Sequence, residues 1–181
     1  SIVDASEMIA NFAKSGALII NESTSFPGTV SSFIPTVISR VRPGLDFDFA
    51  VAPERVDPGN ENWNYRNTPR LISGVTERAK ERAKSFYSAF CSNVVTVSTP
   101  EVAELSKLLE NTFRQVNIAL VNQLVPFAKE MNVDIFEVIE AAATKPYGFM
   151  PFYPGIGVGG HCIPVDPMYP VSYTHLRAHE T

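Results

Sequence analysis

With 181 residues, 45% of them hydrophobic and 19% charged, the chain can bury a sizeable core and has no low-complexity tract. A formal net charge of −4 with both signs interspersed argues against a nucleic-acid surface, which needs a basic patch. No apolar run nears the ~20 residues that span a bilayer, and no secretory signal precedes Ser1. A cytoplasmic protein is therefore expected, with Cys91 and Cys162 as reduced thiols. The missing initiator methionine suggests a piece of something longer.

In chain order, residues 4–14 have helical spacing and stop before Gly16. Residues 17–20 form a short continuous apolar run, the mark of a strand buried on both faces. Helical spacing returns over 29–41, and 47–52 reads as a strand. The stretch 53–69, rich in Asn, Pro and Gly, is irregular; 70–75 reads as a strand, 76–90 as a helix and 93–97 as a strand. This alternation predicts an α/β fold with a parallel sheet and helices on its faces.

Thr99-Pro100-Glu101 then opens a long helix, with a capping residue, a first-turn proline and an acid near the positive end. It should run to about Met131 and bend near Pro126. Val102, Leu105, Leu109, Phe113, Val116, Leu120 and Phe127 share one face; Glu104, Lys107, Asn111, Arg114 and Asn122 share another. A polar face of this kind is ordinarily solvated. Lys107 and Asn111, four apart, can nevertheless address one ligand together. A shorter helix follows over 134–143, and 145–167 is a loop of prolines, glycines and aromatics.

That loop holds the densest chemistry. Gly159-Gly160-His161-Cys162-Ile163-Pro164-Val165-Asp166-Pro167 presents a thiol between glycines and prolines with a carboxylate four residues on. Such a cysteine reads as a nucleophile on a rigid loop rather than a small core hydrophobe. Residues 155–160 satisfy the pattern G-x-G-x-x-G, yet no strand precedes them and prolines follow, so a dinucleotide fingerprint is rejected. Gly155, Gly157 and Gly159 instead allow close approach to a substrate, such as a nucleotide. Glu22-Ser23-Thr24 and Pro53-Glu54-Arg55 each follow a predicted strand, so both should line one crevice at the carboxyl end of the sheet. A surface turn with a local ion pair explains Glu54 and Arg55 equally well. His175 and His179 stand four apart without a third ligand nearby, so no metal site is expected.

Taken together, residues 22–29 (Glu-Ser-Thr-Ser-Phe-Pro-Gly-Thr), 53–60 (Pro-Glu-Arg-Val-Asp-Pro-Gly-Asn), Glu104-Leu105-Ser106-Lys107 with Asn111, and the 155–167 loop resemble the nucleotide-sugar 6-dehydrogenases. This is the UDP-glucose/GDP-mannose dehydrogenase family, and the likeness covers nearly all of residues 1–170. His161 and Val165-Asp166-Pro167 resemble the branch acting on N-acetylated sugars. Residues 53–60 and 149–154 point within it to UDP-N-acetylglucosamine, with UDP-N-acetylmannosamine next.

The resemblance implies the later part of a Rossmann-like domain over 1–98, a central helical domain over 99–170 that dimerises through the long helix, and a tail at 171–181 unlike the family. It implies NAD as cofactor, a UDP-N-acetyl sugar as substrate and oxidation of the C6 alcohol to a carboxylate through a thioester on Cys162. It casts Lys107 and Asn111 as oxyanion donors, Asp166 and Glu54 as proton-handling carboxylates, Thr24 near the cofactor, and Arg55 with the loop glycines near the substrate. A second family glutamate is replaced here by Pro58. Nothing before Ala17 resembles the family's glycine fingerprint, so the chain alone is expected to be inactive. UDP-glucose or GDP-mannose oxidation, and a truncated binding module, are the competing readings.

Overall fold

The computed structural model describes residues 1–57, 59–157 and 168. The chain packs as two units, Ser1–Lys107 and Leu108–Thr181. In the first unit α1 (Ile2–Phe12), β1 (Leu18–Asn21), α2 (Ile34–Val41), β2 (Asp48–Val51), β3 (Arg70–Gly74), α3 (Glu77–Ser88) and β4 (Val94–Thr96) follow the expected order. α4 (Pro100–Glu130) begins there, and α5 (Ile135–Ala143) belongs to the second unit.

The sheet order is β1-β2-β3-β4. β1 pairs parallel with β2, and β3 parallel with β4, each pair connected through a helix. β2 and β3 pair antiparallel, Ala50 opposite Gly74 and Val51 opposite Ser73, which corrects the all-parallel expectation. The reason lies in residues 52–69, whose described residues contain no helix, whereas a parallel return requires a crossover. β1 packs on both faces, Ile19 against one core and Leu18 and Ile20 against the other, though each residue is only half-buried.

Apolar residues sort onto the two faces of this sheet. Ala10, Val30, Ile34, Ile38, Phe47, Val51 and Ala103 form one core with α1, α2 and the start of α4. Ala50, Ala52, Ile72, Ala83, Tyr87 and Cys91 form the other beneath α3. Thr76 caps α3 by accepting from the Ala79 N–H at 3.1 Å. Gly74 lets β3 end against that helix: a Cβ there would stand 2.3 Å from the Lys80 nitrogen.

The helix expected over 29–41 opens with a π turn, Thr29–Phe33, before α2 proper. Pro35 explains this, since it has no N–H for the carbonyl four residues back and its ring crowds that turn. Gly28 precedes the turn at φ +97°, a conformation that side chains with a Cβ rarely adopt.

Asp48 opens β2 as a buried carboxylate, accepting from Arg82 Nη1 at 2.5 Å and Arg78 Nε at 2.8 Å. The Arg82 hydrogen bond, against the opposing effect of burial and with help from Arg78, holds its pKa below the ordinary aspartate range. Folding then binds the proton more weakly than the unfolded chain does, so this stabilisation is complete above the unfolded pKa of about 3.9 and is lost as pH falls through the lowered value. Urea melts across the acid range should show that loss. Asp48→Asn should be less stable at pH 7 and lack this part of the acid dependence; an unchanged acid limb would remove Asp48 as its source.

Candidate functional site

β1 and β2 run parallel, so their carboxyl ends open side by side. The Glu54 N–H donates to the Glu22 carbonyl at 3.0 Å, which brings the two glutamates together. Between their side chains lies Arg70, the first residue of β3 and only 3% exposed. Its Nη1 stands 3.7 Å from Glu22 Oε1 and its Nη2 3.9 Å from Glu54 Oε1. Nη1 also donates to the carbonyls of Ala52 at 3.3 Å and Pro53 at 3.2 Å. The guanidinium carbon lies 4.4 Å from the Tyr65 ring centre and 5.3 Å from that of Tyr87.

Both phenols donate to Glu22 Oε1, Tyr87 at 2.5 Å and Tyr65 at 2.9 Å. Burial, reinforced by the Glu22 carboxylate, pushes both phenol pKa values up, so the hydroxyls stay protonated and donating. Glu54 Oε1 also accepts from the Val56 N–H at 2.6 Å, and Arg55 Nη1 donates to the Pro69 carbonyl at 3.0 Å. Glu54 thus has Arg70, a residue distant in sequence, as an ion-pair partner. Sequence reading missed Arg70 and both tyrosines. The available signal was a cation opening an otherwise apolar strand directly after Pro69.

Glu104 corrects the expectation of a solvated polar face. It is 2% exposed, and its carboxylate accepts from the Gly28 N–H at 2.7 Å, the Val30 N–H at 3.0 Å and the Ser25 hydroxyl at 3.3 Å. An anion here meets the free N–H groups at the start of the π turn. Burial pushes its pKa above the ordinary glutamate range, and the three donors hold that rise in check. Thr24, half-buried, precedes Ser25 in the loop held by this clasp, and Lys107, also half-buried, follows three residues along α4.

In the second unit Ala128, Ile135 and Ile139 make a small core, and Asp134 caps α5 through the Phe136 N–H at 2.9 Å. The aromatic run leading into the glycine loop is pinned at three points. Phe152 meets Phe113 edge-on at 5.7 Å, Tyr153 stacks on Phe136 at 6.3 Å, and the Gly155 N–H donates to Asn122 Oδ1 at 3.0 Å. Asn122, Val125, Pro126, Ile135, Phe136 and Gly155 line an open cavity of about 500 Å³. Gly155 and Gly157 are exposed, neither is at positive φ, and no heavy atom lies closer than 3.9 Å to the place of a Cβ. Asn111 is half-buried on α4. Cys162, Asp166, Gly159, His161, Val165, Pro58 and the tail with His175 and His179 lie outside the described residues.

Residues 1–91 match the NAD binding domain, and residues 101–179 the central domain, of the UDP-glucose/GDP-mannose dehydrogenase family. The chain belongs to this family. It is 42% identical over 161 residues to the UDP-N-acetyl-D-mannosamine dehydrogenase of Pyrococcus horikoshii, covering 88% of this chain and 38% of that protein. It is 40% identical over 172 residues to the UDP-N-acetyl-D-glucosamine 6-dehydrogenase of Pseudomonas aeruginosa, covering 93% and 40%. The solved structure of the Pyrococcus horikoshii UDP-D-ManNAc dehydrogenase superposes with a TM-score of 0.85 at 40% identity, covering 94% of this chain and 41% of that one. The chain therefore spans about two fifths of the length of these relatives, and its first unit has the Rossmann-like architecture of the dehydrogenase family.

NAD is the cofactor of the domain that residues 1–91 match. The described residues fit one wall of such a site: the loop after β1, with Thr24, lies at the carboxyl end of the sheet where dinucleotides bind. The helix start nearest that loop is not a pyrophosphate seat, because Glu104 already takes the Gly28 and Val30 N–H groups. Glu104→Gln tests the clasp, since an amide nitrogen cannot accept from a backbone N–H. The urea midpoint at pH 7 should fall by the equivalent of about 1–3 kcal/mol, whereas an unchanged midpoint would show that the carboxylate is dispensable.

Proposed function

We propose that this segment belongs to an enzyme that oxidises the C6 alcohol of a UDP-N-acetylhexosamine to the carboxylate, with UDP-N-acetylglucosamine ahead of UDP-N-acetylmannosamine. The observation that carries the reading is the family match over both domains. Relatives named for each of the two sugars support the N-acetylated class, and the motifs at 53–60 and 149–154 favour the gluco sugar. The setting would be the cytoplasm, feeding surface-polysaccharide synthesis.

Two NAD bound in turn would supply the hydride acceptor for two successive two-electron oxidations of the sugar carbon. The chain's own residues handle everything else. The first oxidation leaves an aldehyde, whose carbon must regain a tetrahedral form that carries hydrogen and oxygen. Cys162 supplies this by adding its sulfur, and oxidation of the resulting thiohemiacetal gives a thioester. Water then attacks the thioester, releasing the acid and restoring the thiol. Lys107 stabilises the oxyanion with Asn111 as a second donor. Asp166 takes the thiol proton, and Glu54 serves as general acid–base, half-exposed and fixed by the Val56 N–H. Thr24 orders water or touches the cofactor. Arg55, Gly155, Gly157 and Gly159 hold the nucleotide sugar, a role supported by the open space at Gly155 and Gly157.

The apolar row of α4 supports a homodimer. Leu109 is 67% exposed, Val116 59% and Phe127 61%, and a second copy would bury them. Light scattering should give twice the chain mass, and a monomer at micromolar concentration would end this part of the reading. The same preparation, given NAD and UDP-N-acetylglucosamine, should show no rise in NADH absorbance, because the chain spans so little of its relatives' length; turnover would refute that. In a full-length protein carrying this segment, Cys162→Ser should abolish uronic acid formation. Acid production at the parent rate would remove the thioester step.

A further inference from the structure

We propose that Arg70 is a positioning residue for the reaction, holding the Glu54 carboxylate and the backbone beneath it in the geometry that proton transfer needs. This rests on the reading of Glu54 as the general acid–base group and adds the residue through which that group is set. Arg70 touches no reacting atom in this scheme; it acts through Glu54.

The placement is over-determined. The guanidinium is fixed by two carbonyls, Ala52 at 3.3 Å and Pro53 at 3.2 Å, which immediately precede Glu54. It stands within ion-pair distance of Glu54 itself, at 3.9 Å. Two aromatic rings, 4.4 and 5.3 Å away, limit its movement out of that plane. On the side opposite Glu54, Glu22 balances the charge and is in turn held by the Tyr65 and Tyr87 hydroxyls. Tyr65 ties its own loop to Glu22, and Arg70 lies against the Tyr87 ring of α3. A buried cation that needed only neutralising would be served by one carboxylate. Here a single guanidinium holds both the backbone leading into Glu54 and the Glu54 side chain, which is what Arg's planar fork permits and a lysine does not.

The test is a double-mutant cycle in a full-length protein carrying this segment, following NADH formation with saturating NAD and UDP-N-acetylglucosamine. Glu54→Gln should lower kcat by about 100-fold or more, the range of general acid–base catalysis. Arg70→Met should lower kcat by about tenfold, with KM for the sugar nucleotide moving less than about threefold. In the Glu54→Gln background Arg70→Met should cost nothing further, because the group it positions is gone. A structural role alone would instead subtract the same factor in both backgrounds, and that result overturns the proposal. If Glu54→Gln keeps full kcat, the acid–base reading of Glu54 fails and the proposal falls with it. Should Arg70→Met fail to fold by circular dichroism, Tyr65→Ala on the exposed loop replaces it in the cycle. It should lower kcat by about threefold in the parent and leave the Glu54→Gln protein unchanged. Equal losses in both backgrounds, or none in the parent, sink the proposal by that route.

Discussion

A carboxylate removed from water must have its lone pairs met or take up a proton, and Glu104 is where the first unit depends on that requirement. Its two oxygens receive the Gly28 and Val30 N–H groups and the Ser25 hydroxyl. Four pieces of chain meet there: the loop after β1, the π turn, α2 that continues it, and α4. The clasp also uses local backbone shape. Gly28 at φ +97° turns its N–H toward the carboxylate, and Pro35 imposes the wider turn that presents Val30 beside it. Lys107 lies three residues beyond Glu104 on the same helix, so the clasp sets its register against the loop that bears Thr24. Fold stability and placement of the proposed oxyanion donor thus rest on one buried anion.

Much of this was legible from the chain alone, because periodicity and capping are local. α4 was expected from Pro100 to about Met131 and runs Pro100–Glu130; the helix expected over 134–143 is α5, Ile135–Ala143, with Asp134 as its cap. The glutamates at the ends of β1 and β2 could be placed in one crevice because parallel strands share an exit. What escaped was set by partners distant in sequence. Helical spacing groups Glu104 with Lys107 and Asn111 on a polar face, and only the fold shows that loop 25–30 covers the first of them. Arg70 draws its contacts from residues 22, 52–54, 65 and 87, a convergence no window on the sequence contains. The antiparallel β2–β3 step is a different kind of miss. Its sign, a connection without helical spacing, was present in residues 52–69 and was outweighed by the alternation around it.

The two ends of β2 are fastened by the same pair of chemical groups with their burial exchanged. At its start the acid is inside and the cations are outside: the Asp48 side chain is 1% exposed, while Arg78 and Arg82 are 64% and 43% exposed. At its exit the cation is inside and the acids face out, with the Arg70 side chain at 3% and those of Glu22 and Glu54 at 43% and 38%. The exchange matters for what each end can do. A buried carboxylate locked by two guanidinium groups is held ionised and has no access to a substrate, so Asp48 can only stabilise. A buried guanidinium, with its planar fork of donors, can orient carboxylates that remain open to water and ligand. The carboxyl end is also where ligands enter an open α/β sheet. Placing the cation inside and the carboxylates outside, at that end alone, gives β2 one end closed to ligands and one whose carboxylates stay open to solvent.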